Sequence, residues 1–173
     1  MDFDLDHAFV TSDHHFGSSG LKCFNVFTAE QELELADKWN SVVKPEDTVI
    51  YNGDFCDGTL AEAMKWRSTL NGHVILVRGN HDLFSDEIYK ALFDDVFNEI
   101  VLDKYGITVH HKPARNSMCP QIYGHMHRGY VVGPLDKRLN FCSCVQAHDG
   151  FPVKLQEAVE SLRLRTGLEG CSP

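Results

Sequence analysis

The chain has 173 residues, of which 43% are hydrophobic and 24% are charged. These values are typical of a globular protein and exclude a disordered or fibrous chain, so we expect residues 1–173 to form one domain. The formal net charge of −9 argues against an extended nucleic-acid-binding surface, although metal cations would still allow a small anion to bind.

The sequence shows no signal for a membrane or for secretion. No apolar run approaches the roughly 20 residues of a membrane-spanning helix, and the N-terminal MDFDLDHAFV is acidic where a signal peptide is basic. The six cysteines lack the CxxC spacing, which favours reduced thiols. We therefore expect a cytoplasmic protein with no membrane partner, and we leave its oligomeric state open.

The first half of the chain alternates between predicted strands and helices. Two threonines begin capping boxes, because Thr28 precedes Gln31 and Thr59 precedes Glu62 at the required spacing. In chain order the predicted elements are a strand at 7–13, a helix from Thr28 up to Pro45, a strand at 47–54, a helix from Thr59 through about Leu70 and a strand at 73–80.

The second half is mostly predicted strand. Alternating residues around Lys104-Tyr105-Gly106 predict a hairpin. The other predicted elements are a helix near Ile88–Phe93, strands at 121–127 and 138–146, and a terminal helix that begins near Pro152 and runs to Thr166. A strand–helix alternation followed by strands indicates an α/β domain whose helices cover the sheets.

Chemically active residues cluster just past the ends of the predicted strands, at the edge where open α/β sheets bind ligands. Histidines and carboxylates that meet at one edge need a positive counter-charge, and mixed His/Asp/Asn sets suit Mn²⁺, Zn²⁺ or Fe. The candidates exceed what one tetrahedral ion needs, which indicates a binuclear site. The five segments are DHH (Asp13, His15), GDFCD (Asp54, Asp57), GNHD (Asn80, His81, Asp82), VHHKP (His110, His111) and GHMH (His125, His127).

These motifs, in this order and over about residues 8–151, resemble those of the calcineurin-like metallophosphoesterases. The resemblance implies a four-layer α/β/β/α sandwich with two mixed sheets and two metal ions at its edge. Gly58 follows Asp57 where the phosphoprotein phosphatases of this superfamily have an arginine. The small stand-alone members from bacteria and phages are therefore the better comparison.

The resemblance also implies a set of metal ligands. Of the two neighbouring histidines we prefer His111, because His111-Lys112-Pro113 fits the family frame and strand alternation turns His110 to the opposite face. The expected cofactor is a pair of divalent ions, Mn²⁺ in the first place and otherwise Fe, Zn²⁺, Ni²⁺ or Mg²⁺. The implied ligands are Asp13, His15 and His127 for the first ion, Asn80, His111 and His125 for the second, and Asp54 for both.

The implied activity is phosphoester hydrolysis by a hydroxide that bridges the two metals. His81 is the candidate general acid, oriented by Asp57 or, as the second choice, by Asp82. Asn80 and Arg128 are candidate contacts to the substrate phosphate, although Arg128 is equally well explained as an ordinary surface residue. We expect a phosphodiesterase that acts on small or nucleotide-like substrates. The alternatives are a phosphomonoesterase and a non-catalytic scaffold that keeps the fold.

Overall fold

Two mixed β-sheets and four α-helices make up the fold in the computed structural model, which describes residues 3–18, 27–115, 117–127 and 139–167. The helices are α1 (Ala29–Val42), α2 (Leu60–Thr69), α3 (Asp86–Leu92) and α4 (Leu155–Thr166). The strands are β1 (Ala8–Thr11), β2 (Thr48–Tyr51), β3 (His73–Val77), β4 (Asp95–Phe97), β5 (Ile100–Leu102), β6 (Ile107–His110), β7 (Gln121–Tyr123), β8 (Asn140–Cys142) and β9 (Val153–Lys154).

The first sheet has the strand order β4-β3-β2-β1-β9. Its first four strands are parallel, and β9 runs antiparallel to β1. Parallel strands place their carboxyl ends at one edge of the sheet. The segments that begin at Asp13, Asp54 and Asn80 follow β1, β2 and β3, so they all leave the sheet at that edge.

The second sheet has the strand order β5-β6-β7-β8. The strands β5 and β6 form the predicted antiparallel pair, joined by a short 3-10 helix at Asp103–Tyr105, and β6, β7 and β8 are parallel. His111 directly follows β6, and His125 lies two residues after β7. This sheet therefore delivers the second pair of histidine segments.

Two apolar clusters hold the layers together. The helices α1, α2 and α3 pack on one face of the first sheet through large side chains such as Trp39, Trp66 and Tyr89. The opposite face, with Val10 and Ile50, packs against the second sheet. α4 contributes buried leucines to this inner cluster and contacts strands of both sheets, β1 and β9 in the first and β8 in the second.

The predicted α/β class with two mixed sheets is confirmed, and both predicted capping boxes are present at Thr28 and Thr59. No helix in the described ranges combines the length and the apolar character that crossing a bilayer requires. The predicted helix near Ile88–Phe93 is observed as α3.

Several predicted strands were too long. The four predicted to end at residues 13, 54, 80 and 127 end at Thr11, Tyr51, Val77 and Tyr123. Part of the reason is that Asp13, Asp54 and His125 have a left-handed backbone that leaves the pleated geometry.

The terminal helix was placed too early, and two strands were missed. α4 begins at Leu155 because Val153 and Lys154 pair with β1 as the edge strand β9. The three-residue strand β4, which pairs with β3, was also missed. Strands this short carry too few residues for an alternating pattern to be seen.

Candidate metal centre

Five of the candidate ligands share an uncommon backbone conformation. Among the described residues other than glycine, six have a left-handed φ, and the sixth is Asp149. Such conformations cost about 1–3 kcal/mol each and concentrate at functional sites, where the surrounding structure enforces them. The five, with their φ angles, are Asp13 (62°), His15 (49°), Asp54 (59°), His125 (69°) and His127 (48°).

The strained turns brace one another through backbone hydrogen bonds. The N–H of Asp13 donates to the carbonyl of Gly53 at 3.0 Å, and the N–H of His15 donates to the carbonyl of Asp54 at 3.1 Å. The N–H of His125 donates to both carboxylate oxygens of Asp13, at 3.0 Å each. The turns after β1, β2 and β7 are therefore held in one arrangement.

Asp82, the second choice for orienting His81, contributes hydrogen bonds to the same bracing. Its buried carboxylate accepts hydrogen bonds from the N–H groups of Asp54 at 2.9 Å, Phe55 at 3.0 Å and Gly79 at 2.7 Å. These bonds engage both oxygens. Asp82 therefore positions the loops after β2 and β3, while Nδ1 of His81 faces Asp57.

The first group of possible metal ligands consists of Asp13, His15 and His127. Their ligand atoms all lie within 4.8 Å of one another. The Nε2 atoms of both histidines are 3.9 Å from Oδ1 of Asp13, and the two rings stack with centroids 5.0 Å apart. These separations exceed a hydrogen bond and match donors arranged about one ion at bonds of about 2.0–2.2 Å.

The second group consists of Asp54, His111 and His125. Nδ1–H of His111 donates to the backbone carbonyl of Asn52 at 2.8 Å, which leaves Nε2 facing Oδ2 of Asp54 at 3.0 Å. A carbonyl partner of this kind fixes the tautomer and the orientation of a metal-binding imidazole. His110 instead contacts Gln121 through Nε2.

Asp54 stands between the two groups. Its Oδ2 atom is 3.0 Å from Nε2 of His111 and 3.6 Å from Nε2 of His15. Its Oδ1 atom accepts the N–H of His81 at 2.8 Å. One carboxylate thus faces ligands of both groups while the next loop fixes its orientation.

Asp57 links His15 with His81. Its Oδ2 atom is 3.1 Å from Nδ1 of His15, and its Oδ1 atom is 3.1 Å from Nδ1 of His81. The Asp57 side chain is 2% exposed and that of His81 is 28% exposed. The Asp57 carboxylate therefore contacts both imidazole rings, and the His81 ring lies partly exposed beside it.

The remaining candidate site residues are Asn80 and Arg128. Asn80 is exposed and lies between Gly79, whose N–H donates to Asp82, and His81, whose N–H donates to Asp54. Arg128 lies outside the described residues.

Charged side chains balance one another in the centre. Although burial opposes it, the hydrogen bond to His111 lowers the pKa of Asp54 to about 2. Burial also opposes charge on His111, but Asp54 and Asp13 together raise its pKa to about 9. Against the effect of burial, Asp57, Asp54 and Asp13 likewise raise the pKa of His15. In the protein without metal, a proton on His111 supplies part of the positive charge that the carboxylates need.

Two motif glycines are required by close approach of the backbone to candidate ligands. A Cβ atom on Gly79 would lie 2.2 Å from Oδ1 of Asp54, and one on Gly124 would lie 2.7 Å from Oδ2 of Asp13. Both distances are far below van der Waals contact. The glycines therefore let the loops after β3 and β7 close onto the carboxylates.

Two supporting residues were missed by sequence reasoning. Nε2 of Gln146 donates to the backbone carbonyl of Asp13 at 2.9 Å, and the carbonyl of Asn52 orients His111. Neither position carries a distinctive pattern. Asn52 acts through its backbone, and Gln146 lies in a different segment from the residue that it supports.

The arrangement fits divalent cations. Nε2 of His15 and Nδ1 of His127 are buried without a hydrogen-bond partner, which is costly for polar atoms unless an ion or water satisfies them. Imidazole nitrogens and carboxylate oxygens are suitable donors for Mn²⁺, Fe and Zn²⁺. These His/Asp clusters can therefore hold metal.

A family model described as calcineurin-like phosphoesterase matches residues 7–129. The match includes all the residues of the two ligand groups. The chain belongs to the calcineurin-like phosphoesterase family. Metal-dependent hydrolysis of phosphoesters is the general activity of this family.

Known relatives of this calcineurin-like phosphoesterase are distant. An uncharacterized protein of Methanocaldococcus jannaschii is 26% identical over 147 residues, which cover 76% of this chain and 78% of that protein. The gene 66 protein of mycobacterium phage L5 is 33% identical over 84 residues, 45% of this chain and 41% of its own length.

A solved structure shows a similar fold. The crystal structure of a protein of unknown function from Aquifex aeolicus superposes with a TM-score of 0.69 at 24% identity, covering 88% of this calcineurin-like phosphoesterase and 97% of that chain. A nuclease from Pseudomonas putida superposes with a TM-score of 0.49 at 26% identity, covering 70% and 61%.

Proposed function

We propose that the protein hydrolyses phosphodiesters of small, nucleotide-like alcohols with two divalent metal ions, Mn²⁺ in the first place. The observation that carries this proposal is the position of Asp54, whose Oδ2 atom faces His15 of one ligand group and His111 of the other. A single ion would leave one of the two groups without a role.

The proposal assigns the candidate ligands to two metal sites. Asp54 contributes to both ions and is held by the N–H of His81. Asn80 joins the second set through its position between Gly79 and His81. Bound divalent ions would lower the pKa of a water molecule and neutralise charge on the phosphate oxygens. The first set is Asp13, His15, Asp54 and His127, and the second is Asp54, Asn80, His111 and His125.

The proton for the leaving alcohol comes from His81. Because Nδ1 of His81 faces Asp57 at 3.1 Å, Nε2 is the atom left to donate to an oxygen of the substrate. The partly exposed ring can reach a substrate that enters from solvent. A carboxylate on the far side of the ring fixes the orientation that a general acid requires.

Charge favours a diester over a monoester. The centre already contains four buried or half-buried carboxylates, those of Asp13, Asp54, Asp57 and Asp82. The position after Asp57 is Gly58, so no arginine stands there to pair with a second phosphate charge. A phosphodiester carries one negative charge at neutral pH and is repelled less than a doubly charged monoester.

A pair of model substrates tests this proposal. In Mn²⁺, we expect faster hydrolysis of bis(p-nitrophenyl) phosphate than of p-nitrophenyl phosphate. A faster rate with the monoester would make the protein a phosphomonoesterase. If neither ester is hydrolysed with Mn²⁺, Fe, Zn²⁺, Ni²⁺ or Mg²⁺, the catalytic proposal is wrong and a non-catalytic scaffold is the better description.

A further inference from the structure

The buried side chain of Asn52 connects the two sheets beside the metal centre. Asn52 directly follows β2, two residues before Asp54, and it is fully buried. Its Nδ2 group donates to the backbone carbonyl of His110, at the end of β6, at 3.2 Å and to that of Ile122, in β7, at 3.4 Å. A residue that follows a strand of the first sheet therefore contacts two strands of the second sheet, at the edge where the candidate ligands lie.

Two buried serines extend this connection. Nδ2 of Asn52 also lies 3.3 Å from Oγ of Ser143, which donates to the carbonyl of Tyr123 at 2.9 Å and lies 3.0 Å from Oγ of Ser12. Both serines are fully buried. Because Ser12 directly follows β1 and Ser143 directly follows β8, the polar network links five neighbouring strands of the two sheets.

The backbone of Asn52 contacts a candidate metal ligand. Its carbonyl accepts Nδ1–H of His111 at 2.8 Å. The His111 ring also packs closely on the next residue, since a Cβ atom on Gly53 would lie 2.4 Å from Nδ1 of His111. Asn52 therefore holds His111 in two ways, by its carbonyl at the ring and by its side chain at the carbonyl of the preceding residue, His110.

These contacts bear on the second ligand group. That group combines Asp54 from the first sheet with His111 and His125 from the second, so its geometry depends on how the sheets are joined. The turn with His125 has its own bond to the first sheet, because its N–H donates to the carboxylate of Asp13 at 3.0 Å. Asn52 supplies the equivalent connection for His111, whose Nε2 atom lies 3.0 Å from Oδ2 of Asp54.

We propose that the side chain of Asn52 is a positioning residue for the second metal ion, and that it acts by holding His111 at the correct distance from Asp54. The proposal rests on the proposed function, because it assigns Asn52 to one of two metal sites. Removing a residue that supports a metal ligand commonly lowers metal affinity by about 10- to 100-fold. The apolar cluster between the sheets is independent of the amide, so the fold should persist without it.

Calorimetric titration of the metal-free protein with Mn²⁺ tests this role. Asn52→Leu keeps the branched shape of the side chain and removes its N–H donors. We expect one of the two binding events to weaken by about 10- to 100-fold and the other to stay nearly unchanged. His111→Gln should weaken the same event. Asn40→Ala, which removes a side-chain amide that bonds Thr69 and Asn71, is the matched control and should keep both affinities.

A double-mutant cycle separates positioning from a general loss of stability. If Asn52 acts through His111, adding Asn52→Leu to His111→Gln should change Mn²⁺ binding little beyond the effect of His111→Gln alone. Fully additive losses would overturn the proposal. If Asn52→Leu does not fold, Ser143→Ala decides in its place, since it removes one partner of the amide. A selective loss at one ion supports the proposal, and unchanged binding overturns it.

The number of ions bound by the wild type distinguishes this proposal from the proposed function. Two ions in the wild type, with affinities that Asn52→Leu leaves unchanged or lowers equally, would overturn the role of Asn52 and leave the two-metal proposal standing. One ion, bound more weakly in Asn52→Leu but not in Asn40→Ala, would refute the two-metal proposal and keep Asn52 as a positioning residue. One ion with unchanged affinity, or none, would overturn both.

Discussion

Asp57 shows how one carboxylate can serve two neighbouring histidines. Its oxygens face Nδ1 of His15 and Nδ1 of His81 at 3.1 Å each. The first contact orients a candidate metal ligand, and the second orients the candidate general acid. At the scale of the residue, a single side chain therefore contacts both a candidate metal ligand and the candidate general acid.

The role of His81 predicts a specific kinetic defect. His81→Ala should retain its metal and lose about 10²-fold in rate on esters with poor leaving groups, which need a proton, but little on p-nitrophenyl esters. The measurement is the rate for a series of phenyl esters with leaving groups of increasing pKa. His73→Ala, which removes an exposed histidine, is the control. Equal losses across the series would remove His81 from the role of acid.

The Asp54–His111 pair predicts how the metal-free protein responds to pH. The pKa of His111 is raised from 6.5 to about 9, so its contribution to stability is complete below about 6.5 and disappears as pH rises through about 9. The pKa of Asp54 is lowered from 3.8 to about 2, so its contribution is present above about 3.8 and disappears as pH falls through about 2.

In chelator, the thermal unfolding midpoint should therefore fall as pH rises from about 6.5 to about 9.5, with a loss of stability on the order of 2–3 kcal/mol. Differential scanning calorimetry measures this change. His111→Gln should have a flatter profile, because the group that titrates is gone. A wild-type midpoint that stays constant or rises over this range would contradict the assigned ion pair.

At the scale of elements, five strand ends supply the site, and the turns that follow them determine its geometry. The turns after β1, β2 and β7 contain left-handed aspartates and histidines, and Asp82 ties the turn after β3 to the turn after β2. Precise placement of the side chains thus depends on backbone bracing between segments that are distant in sequence.

This close bracing predicts the effect of adding one methyl group. Gly124→Ala would place Cβ 2.7 Å from Oδ2 of Asp13, so Asp13 or His125 must shift, and we expect metal affinity to fall at least tenfold. Gly106→Ala is the control, because a Cβ atom there meets nothing within 4 Å. The Gly106→Ala variant should lose about 1 kcal/mol of stability, because residue 106 has a left-handed backbone, and it should leave metal binding intact. Unchanged affinity in Gly124→Ala, measured by titration with Mn²⁺, would show that the loop is not tightly closed.

Much of the element order could be predicted from the sequence, because apolar runs, capping boxes and turn residues are local signals. The boundaries could not, since Asp13 and His125 leave the pleated geometry through contacts with each other. β9 could not be recognised because its two residues become a strand only by pairing with β1. The backbone contacts of Asp82 could not be predicted, because its motif fits a catalytic aspartate and a backbone brace equally well.

At the scale of the whole molecule, each of the two sheets supplies a different part of the candidate ligand set. The first sheet delivers Asp13, His15 and Asp54, and the second delivers His111 and the segment with His125 and His127. Packing the inner faces of the sheets together brings the two sets to one edge. The apolar core between the sheets therefore sets the distance between the ligand groups as well as the stability of the fold.

The central claim is that Asp54 belongs to two metal ions at once, and the metal content of the chain tests it most directly. After chelation and reconstitution with Mn²⁺, elemental analysis should find two ions per wild-type chain and per Asp37→Asn chain, a control in which an exposed aspartate is changed. Asp54→Asn should retain at most one ion and lose nearly all turnover. One ion or none in the wild type, or two ions with full activity in Asp54→Asn, would contradict the shared carboxylate.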